Sequence, residues 1–216
     1  MPLDLRLYVI TDATRWSRTH EEVAAAALQG GATVLQFREK RATTRALYET
    51  ARRLQELCRA CGVPFIVNDR LDIALAVDAD GVHLGSEDLP VAVARRILGP
   101  HRIVGASAGS VEEALRAEEE GASYLGVGSV YVTGTKPDAG APIGPDGLVK
   151  IVRAVRIPVV GIGGITLDRV PEVIQAGAAG VAVISAVAAA ADMVEATRAL
   201  RRAVDEALAR RPEVRM

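Results

Sequence analysis

Short apolar runs rich in Val, Ile and Leu alternate with segments rich in Ala, Leu, Glu and Arg along the whole chain. Each apolar run has the length and composition of a buried β-strand, and each is followed by a helical pattern such as SVEEALRAEEEG or TLDRVPEVIQAG. A strand followed by a helix, repeated many times, predicts a sheet of parallel strands. Eight strands are predicted, in the stretches RLYVIT, TVLQFREK, PFIVND, GVHLG, RIVGAS, SYLGVGSV, PVVGIGG and GVAVIS.

The spacing of these units indicates that the sheet closes on itself. The 216 residues, divided among eight units, give about 27 residues a unit, which is the rhythm of a (β/α)8 barrel, or TIM barrel. We predict a single domain over residues 1–216, with its core at about 7–207 and a short C-terminal tail. Periodicity does not prove closure, so an open sheet of six or seven strands is the alternative. The residues that end the predicted strands are Thr11, Lys40, Asp69, Asp88, Ser107, Thr133, Gly164 and Ser185.

Composition and charge narrow the classes of partner. With 26 basic and 27 acidic residues the net charge is −1, which gives no electrostatic reason to bind nucleic acid or an anionic membrane. The apolar run that starts at Leu7 is too short for a secretory signal, so we expect a cytoplasmic protein. Residues 173–191 carry no charge, but AGAAG interrupts them, and a strand with two helix ends explains them better than a membrane span. The expected partners are small molecules, and a homo-oligomer is compatible with the sequence.

Cys58 and Cys61 form a C-x-x-C motif, which raises the question of redox or zinc chemistry. A redox pair normally opens a helix, where the helix dipole lowers a thiol pKa, whereas this pair closes a helical run just before Gly62. A zinc site would need two further ligands, and no second cysteine pair exists. We therefore interpret both cysteines as structural.

In a barrel of this kind, the carboxyl ends of all strands meet at one face, and side chains far apart in sequence share one mouth. Alternation along TVLQFREK places Gln36, Arg38 and Lys40 on one side of the strand and packs Phe37 under the helices. Two cations on the same side repel each other unless an anion lies between them, which favours anion binding over a merely solvated strand end. The other residues predicted at the mouth are Asn68, Asp69, Asp88, Ser107, Thr133, Thr135, Lys136, Ile184, Ser185 and the glycines of GIGG.

Two of these residues, Asp69 and Asp88, end neighbouring strands and are predicted to lie close together. Two adjacent carboxylates either share a proton or hold a hard divalent cation. Mg²⁺ takes one or two carboxylates together with waters and substrate phosphates, and the nearby cations predict such phosphates. Read singly, Asp69 could be a turn residue and Asp88 could cap the helix that follows it.

Two loops near the end of the chain also predict anion binding. Gly163 and Gly164, with Ile184 and Ser185, follow the seventh and eighth predicted strands, where barrels commonly bind a phosphate through main-chain N–H groups. A helix turn is the structural alternative for the glycines.

The stretch VYVTGTKPDAG, residues 130–140, is polar and conformationally loose, and packing alone does not explain it. His83 lies within a short strand and is interpreted as an interior, hydrogen-bonded histidine, not as a base.

These residues together resemble the thiamine phosphate synthase family, over about residues 7–207. The shared stretches are QFREK, VNDRLDIALAVDADGVHLGSEDLP, SVEEALRAEEEGASYLGVGSV, TGTKPDA, GIGGIT and VISAV, in the family's order. The resemblance implies a transferase that joins hydroxymethylpyrimidine diphosphate to thiazole phosphate by a dissociative, Mg²⁺-assisted reaction. It implies that the pyrimidine diphosphate binds at Gln36, Phe37, Arg38, Glu39, Lys40, Asn68, Ser107 and Lys136, of which Arg38, Lys40, Ser107 and Lys136 are catalytic. It also implies that Asp69 and Asp88 are the Mg²⁺ ligands. The thiazole phosphate site that it implies consists of Thr133, Gly134, Thr135, Gly164, Ile184 and Ser185.

The chain departs from the family pattern at three positions. Ser86 stands where glutamine is usual, Gly134 where proline or an acidic residue is frequent, and Gly109 where many members have histidine. A thiazole tautomerase of the same fold relies on that histidine and lacks much of the cationic set. Two alternatives therefore stay open: a tautomerase-like paralogue, which Gly109 disfavours, and a non-catalytic regulator that binds thiamine precursors, which would not need both aspartates.

Overall fold

The computed structural model describes residues 3–12, 16–135 and 141–211, and over these residues the chain forms a closed barrel of eight parallel strands in chain order. The predicted barrel is confirmed, and the open-sheet alternative is excluded because β1 pairs with β8 as well as with β2. The strands are β1 Leu7–Thr11, β2 Val34–Phe37, β3 Phe65–Asn68, β4 Gly81–Leu84, β5 Ile103–Ala108, β6 Tyr124–Val127, β7 Val159–Ile162 and β8 Gly180–Val183.

Helices follow the strands and cover the outside of the barrel. Local sequence sets their ends: at the first helix, the Thr19 hydroxyl accepts from the Glu22 amide while the Glu22 carboxylate accepts from the Thr19 amide. The same helix ends at Gly31, whose φ of 93° lies in the left-handed region that glycine adopts readily. The helices are α1 His20–Gly30, α2 Thr44–Cys61, α3 Leu71–Ala76, α4 Val91–Leu98, α5 Val111–Glu119, α6 Gly144–Ala154, α7 Val170–Gln175, α8 Ser185–Ala188 and α9 Met193–Arg210.

The core has two layers, and strand alternation assigns each residue to one of them. In β2, Leu35 and Phe37 pack outward against the helices, while Val34 and Gln36 point into the barrel. The chain is poor in aromatic residues, yet two tyrosines, Tyr8 and Tyr124, lie inside the barrel. Their hydroxyl groups, with the side chains of Gln36 and His83, introduce polar chemistry into a barrel interior built mainly from aliphatic residues.

The helices that the structure describes include none long and apolar enough to cross a membrane. Residues 173–191 contain the end of α7, strand β8 and helix α8, as the interruption by AGAAG predicted.

Cys58 and Cys61 close α2, with Cys58 buried and Cys61 exposed. Burial raises the pKa of the Cys58 thiol to about 12, so this cysteine lacks the acidic thiol of a redox motif.

Candidate active site

A cavity of about 330 Å³ opens at the carboxyl ends of the strands. It contains predicted residues from both sides of the barrel mouth, although these residues are far apart in sequence. Because β2 and β3 lie across the closed barrel from β6 and β7, two separate groups face each other over one space. The predicted residues that line the cavity are Gln36, Arg38, Asn68, Ser107, Thr133, Thr135, Gly163, Gly164, Ile184 and Ser185.

The end of β2 separates into residues that face the cavity and residues that face the helices. The Arg38 guanidinium lines the cavity and donates to the Asp12 carboxylate, 2.5 Å away. The Phe37 side chain is buried on the other side, with its ring 4.8 Å from the ring of His20. The Glu39 carboxylate lies 3.5 Å from His20 Nε2. The side chains of Phe37 and Glu39 therefore turn away from the cavity, as alternation along the strand requires.

Beside the cavity, Lys40, Asp69 and Asp88 form a compact charged group. Lys40 Nζ lies 2.8 Å from Asp69 Oδ2, and a hydrogen bond joins the two carboxyl groups. Burial and the neighbouring Asp69 carboxylate raise the pKa of Asp88. Burial also opposes ionisation of Asp69, but the hydrogen bond from Asp88 and the Lys40 ammonium outweigh it and lower the Asp69 pKa. Of the two carboxyl groups, Asp69 is therefore the more acidic.

The main chain holds both carboxylates in place. Asp69 has a φ of 61°, a conformation that aspartate tolerates better than most residues, and its amide donates to the His83 carbonyl at 2.8 Å. Asp88 Oδ2 accepts from the Gly85 amide at 2.7 Å. Helix α4 begins at Val91 without a side-chain cap, so Asp88 does not have the capping role that its position in the sequence allowed.

Two carboxylates suit a hard cation that completes its shell with water and substrate oxygens. Over residues 3–12, 16–135 and 141–211, no cluster of three or more His, Cys, Asp or Glu side chains forms a metal site. Asp69 and Asp88 are two such carboxylates, and in the predicted arrangement they would supply part of the coordination shell.

The opposite wall of the cavity is built from the loops after β6 and β7. Gly163 and Gly164 have φ values of 96° and 64°, and a Cβ atom at Gly163 would lie 2.3 Å from Ser129 Oγ. These positions therefore require glycine for the path of the main chain, and they lie between β7 and α7, outside both elements. Arg169 Nη1 donates to the Gly164 carbonyl at 2.6 Å, and its guanidinium lies 4.5 Å from the centre of the Tyr131 ring. Arg169 and Tyr131 thereby connect the two loops.

The neighbouring polar loop is described only up to residue 135. Thr133 Oγ1 accepts from the Thr135 amide at 3.2 Å, and both threonines line the cavity. Gly134 lies between them and is not among the residues that line it. Lys136, predicted to bind the diphosphate, lies outside the described residues.

A continuous line of hydrogen bonds crosses the interior of the barrel below the cavity. Gln36 Nε2 lies 2.8 Å from the Tyr8 hydroxyl, which lies 2.5 Å from the Tyr124 hydroxyl. Tyr124 contacts His83 Nδ1 at 3.0 Å, and His83 Nε2 contacts Ser107 Oγ at 3.0 Å. The prediction of an interior, hydrogen-bonded histidine is confirmed.

Sequence reasoning missed several members of this site, among them Asp12, Tyr8 and Tyr124. Asp12 directly follows Thr11, at the end of the first strand, where the barrel rhythm already placed the mouth. It is 3 % exposed, and its pairing with Arg38 was not visible from either residue alone. The tyrosines occupy inward-facing positions of strands that are otherwise mostly aliphatic. A phenol at such a position is uncommon, and it could have indicated a polar contact inside the barrel.

The fold and the site define a class: a TIM-barrel enzyme whose mouth has cationic and paired acidic side chains on one wall and glycine-rich loops on the other. Comparison with known proteins identifies the family. The thiamine monophosphate synthase family matches residues 7–187, and the chain belongs to this family.

Individual relatives agree with that assignment over nearly the full length. The chain is 55% identical to a thiamine-phosphate synthase of Chloroflexus aurantiacus over 203 residues, which covers 94% of each chain. It is 56% identical to one from Moorella thermoacetica over 199 residues, covering 92% of this chain and 95% of the relative. The solved thiamine phosphate pyrophosphorylase of Pyrococcus furiosus superimposes with a TM-score of 0.89 at 51% identity, covering 96% of this chain and 98% of that one.

Proposed function

We propose that this chain joins hydroxymethylpyrimidine diphosphate to thiazole phosphate, giving thiamine phosphate and diphosphate. Its family membership makes it a transferase of thiamine biosynthesis. One structural observation supports the binding of two substrates on opposite sides of the site. A single cavity has two chemically different walls, each suited to an anionic ligand. A transferase for these substrates must hold a diphosphate and a monophosphate at once, with the reacting atoms between them.

The wall formed by β2, β3 and β5 would bind the pyrimidine diphosphate. Arg38 and Lys40 supply positive charge, while Gln36, Asn68 and Ser107 supply neutral hydrogen-bonding groups. Lys136 belongs to this set through the family resemblance alone. Because Asp12 holds Arg38 from behind, the guanidinium keeps its position whether or not substrate is bound.

The wall formed by the loops after β6, β7 and β8 would bind the thiazole phosphate. Gly164 lines the cavity, Ile184 and Ser185 follow β8 next to it, and their main-chain N–H groups would bind the phosphate. Thr133 and Thr135 extend the same wall with hydroxyl groups. Gly134 lies between these threonines, where its small size leaves the main chain accessible.

Asp69 and Asp88 would hold a Mg²⁺ ion at the diphosphate end. The fit depends on two close carboxylates beside a cationic wall, since Mg²⁺ takes its remaining ligands from water and substrate phosphates. When bound, the ion would supply positive charge that offsets the charge of the diphosphate.

The reaction breaks the bond between the pyrimidine methylene carbon and a diphosphate oxygen, and the electron pair leaves with the diphosphate. The ring amino group stabilises the resulting pyrimidine cation, and the thiazole nitrogen donates its lone pair to form the new C–N bond. No general base is required. Arg38 and Lys40 stabilise the departing anion, and the facing walls keep the two reactants aligned.

The direct test uses the purified full-length chain with both substrates, and measures thiamine phosphate and diphosphate separately. Equal amounts of the two products, formed only when both substrates are present, would support the proposal. An Arg38→Gln variant should lose most of this activity, whereas Arg52→Gln, which removes an exposed cation of α2, should keep it. Absence of thiamine phosphate from the wild-type reaction would contradict the proposal.

The tautomerase-like alternative is disfavoured at one position. Gly109 lines the cavity where that activity relies on histidine, and its amide donates to the Glu113 carboxylate at 2.7 Å. Gly109 itself has no side chain that could move a proton. The regulator alternative makes the opposite prediction in the same assay, namely binding of both substrates without product.

Three broader predictions remain part of the proposal: a cytoplasmic location, no nucleic-acid or membrane partner, and assembly into a homo-oligomer. The net charge of −1 supports the absence of nucleic-acid and anionic-membrane partners. Light scattering on the purified chain would give the oligomeric state directly.

A further inference from the structure

The hydrogen bonds across the barrel interior connect two residues of the proposed substrate site. Gln36 and Ser107 both line the cavity, on β2 and β5, and the line between them passes through Tyr8, Tyr124 and His83. We call these five side chains the interior relay. Each comes from a different strand, so only the closed barrel brings them together.

The chemistry of its members gives the relay a direction. The amide nitrogen of Gln36 can only donate, so the Tyr8 oxygen accepts from it. Burial raises the pKa of both Tyr8 and Tyr124, which keeps each phenol protonated and limits it to one donated hydrogen. The Tyr8 hydrogen then goes to the Tyr124 oxygen, and the Tyr124 hydrogen goes to His83 Nδ1.

That sequence of donors determines the state of the last two members. A histidine that accepts at Nδ1 and is uncharged carries its hydrogen on Nε2, which points at Ser107 Oγ. Ser107 accepts that hydrogen, so its own hydroxyl hydrogen is available to the cavity. An amide oxygen of Gln36 facing Tyr8 would reverse every bond and make Ser107 donate to His83 instead.

Two glycines make room for the relay, which is an independent sign that the fold accommodates it. A Cβ atom at Gly105 would lie 2.3 Å from Tyr124 Cζ, inside the ring's own volume. A Cβ atom at Gly126 would lie 3.1 Å from His83 Cε1. Any larger residue at Gly105 would displace Tyr124 and break the line of hydrogen bonds.

We infer that the interior relay fixes His83 as the Nε2–H tautomer and presents Ser107 as a hydrogen-bond donor to an acceptor atom of the pyrimidine diphosphate. Tyr8, Tyr124 and His83 are positioning residues: they contact no substrate in this scheme and act through Ser107. That the molecule accepting a hydrogen bond from Ser107 is the pyrimidine diphosphate rests on the proposed function. The tautomer of His83 does not depend on it. The two parts can therefore fail separately.

The tautomer is measured first, on the full-length chain without substrates. The protein has three histidines, so ¹⁵N labelling of the imidazole rings gives a spectrum with few signals, and a His83→Gln variant identifies the one from His83. At about pH 8, where an ordinary imidazole is uncharged, the relay predicts a protonated Nε2 and an unprotonated Nδ1. A hydrogen on Nδ1, or a mixture of tautomers, would overturn the inference whatever the enzyme's activity.

The consequence for Ser107 is measured next, with Tyr124→Phe. This variant keeps the ring and removes the hydrogen that His83 Nδ1 accepts, so the tautomer should become mixed and kcat should fall about tenfold, a typical cost of losing an outer positioning contact. The KM for thiazole phosphate should change less than about twofold, because that substrate binds the other wall. Unchanged kcat and an unchanged tautomer would overturn the inference.

The matched control is Tyr48→Phe, which removes a half-exposed phenol of α2 and should leave kcat and the His83 spectrum as in the wild type. If Tyr124→Phe does not fold, the wild-type spectrum still determines the direction of the relay. If the wild-type chain makes no thiamine phosphate but shows the Nε2–H tautomer, the proposed function fails and the relay stands.

Discussion

The guanidinium of Arg38 donates to the buried carboxylate of Asp12 across the ends of β2 and β1, with an N–O distance of 2.5 Å. Asp12 is 3 % exposed, while Arg38 faces the cavity. The pair places a cation at the cavity wall, held by a carboxylate that does not itself line the cavity. Electrostatic catalysis depends on such fixed charges, because they need no reorganisation as the leaving anion forms.

Replacing Asp12 by Asn should therefore impair catalysis although Asp12 does not face the leaving group in this scheme. The variant keeps the shape of the side chain and removes its charge, so Arg38 loses its fixed position. We expect kcat/KM for the pyrimidine diphosphate to fall about 10- to 100-fold, the scale of a misplaced catalytic group. Asp205→Asn, which removes a surface carboxylate 2.9 Å from Arg6, is the matched control and should be neutral. Equal kinetics for both variants would contradict the role of Asp12.

Substituting Gly105 by Ala should destabilise the barrel. The added methyl group would lie 2.3 Å from the Tyr124 ring, and neither the strand nor a fully buried ring can move freely. We expect the free energy of unfolding to drop by about 1–3 kcal/mol in urea denaturation. Gly109→Ala is a suitable control because the atoms nearest to an added Cβ atom, Glu113 Oε2 and the Gly128 carbonyl oxygen, would lie at 3.6 and 3.7 Å. A Gly105→Ala protein as stable as this control would show that the packing around Tyr124 is loose.

The two cysteines should differ sharply in reactivity. Cys61 is exposed, whereas burial raises the pKa of Cys58 to about 12 and keeps its thiol protonated at neutral pH. Alkylation of the native protein with iodoacetamide should therefore modify one thiol quickly, and mass spectrometry should locate it at Cys61. Cys58 should react only in denaturant. Rapid modification of Cys58 in the folded protein would revive the redox interpretation of the C-x-x-C motif.

Arg169 should matter for one substrate and not the other. It connects the Gly164 carbonyl with the Tyr131 ring, and Tyr131 in turn donates to the Glu172 carboxylate at 2.5 Å. Lysine cannot reproduce the planar stacking or the fork of N–H groups. We expect Arg169→Lys to raise the KM for thiazole phosphate about fivefold, as a small loss of loop order would. Arg198→Lys, on the exposed surface of α9, should change neither KM. A rise confined to the pyrimidine diphosphate KM would contradict the assignment of the two walls.

The sequence predicted the parts of this molecule that local pattern controls. Strand length and alternation were enough to place Gln36 and Arg38 on the inner face and Phe37 on the outer one. Barrel rhythm was enough to bring Asp69 and Asp88 together. Contacts between side chains of different strands could not be predicted, because they depend on distances in the folded chain. Examples are Asp12 with Arg38, Lys40 with Asp69, and the relay from Tyr8 to His83. The capping role allowed for Asp88 was wrong because its carboxylate bonds the Gly85 amide instead.

The most direct measurement is the formation of thiamine phosphate from both substrates with Mg²⁺, and again with excess chelator, by the wild-type chain and by Asp69→Asn. The structure predicts product from the wild type with Mg²⁺, little or none with chelator, and a large loss in the variant even at high Mg²⁺, because one of two carboxylates beside the cationic wall has lost its charge. Full activity in chelator would contradict the proposed Mg²⁺ site at Asp69 and Asp88. No product from the wild type under any condition, while both substrates still bind, would contradict the proposed synthase activity.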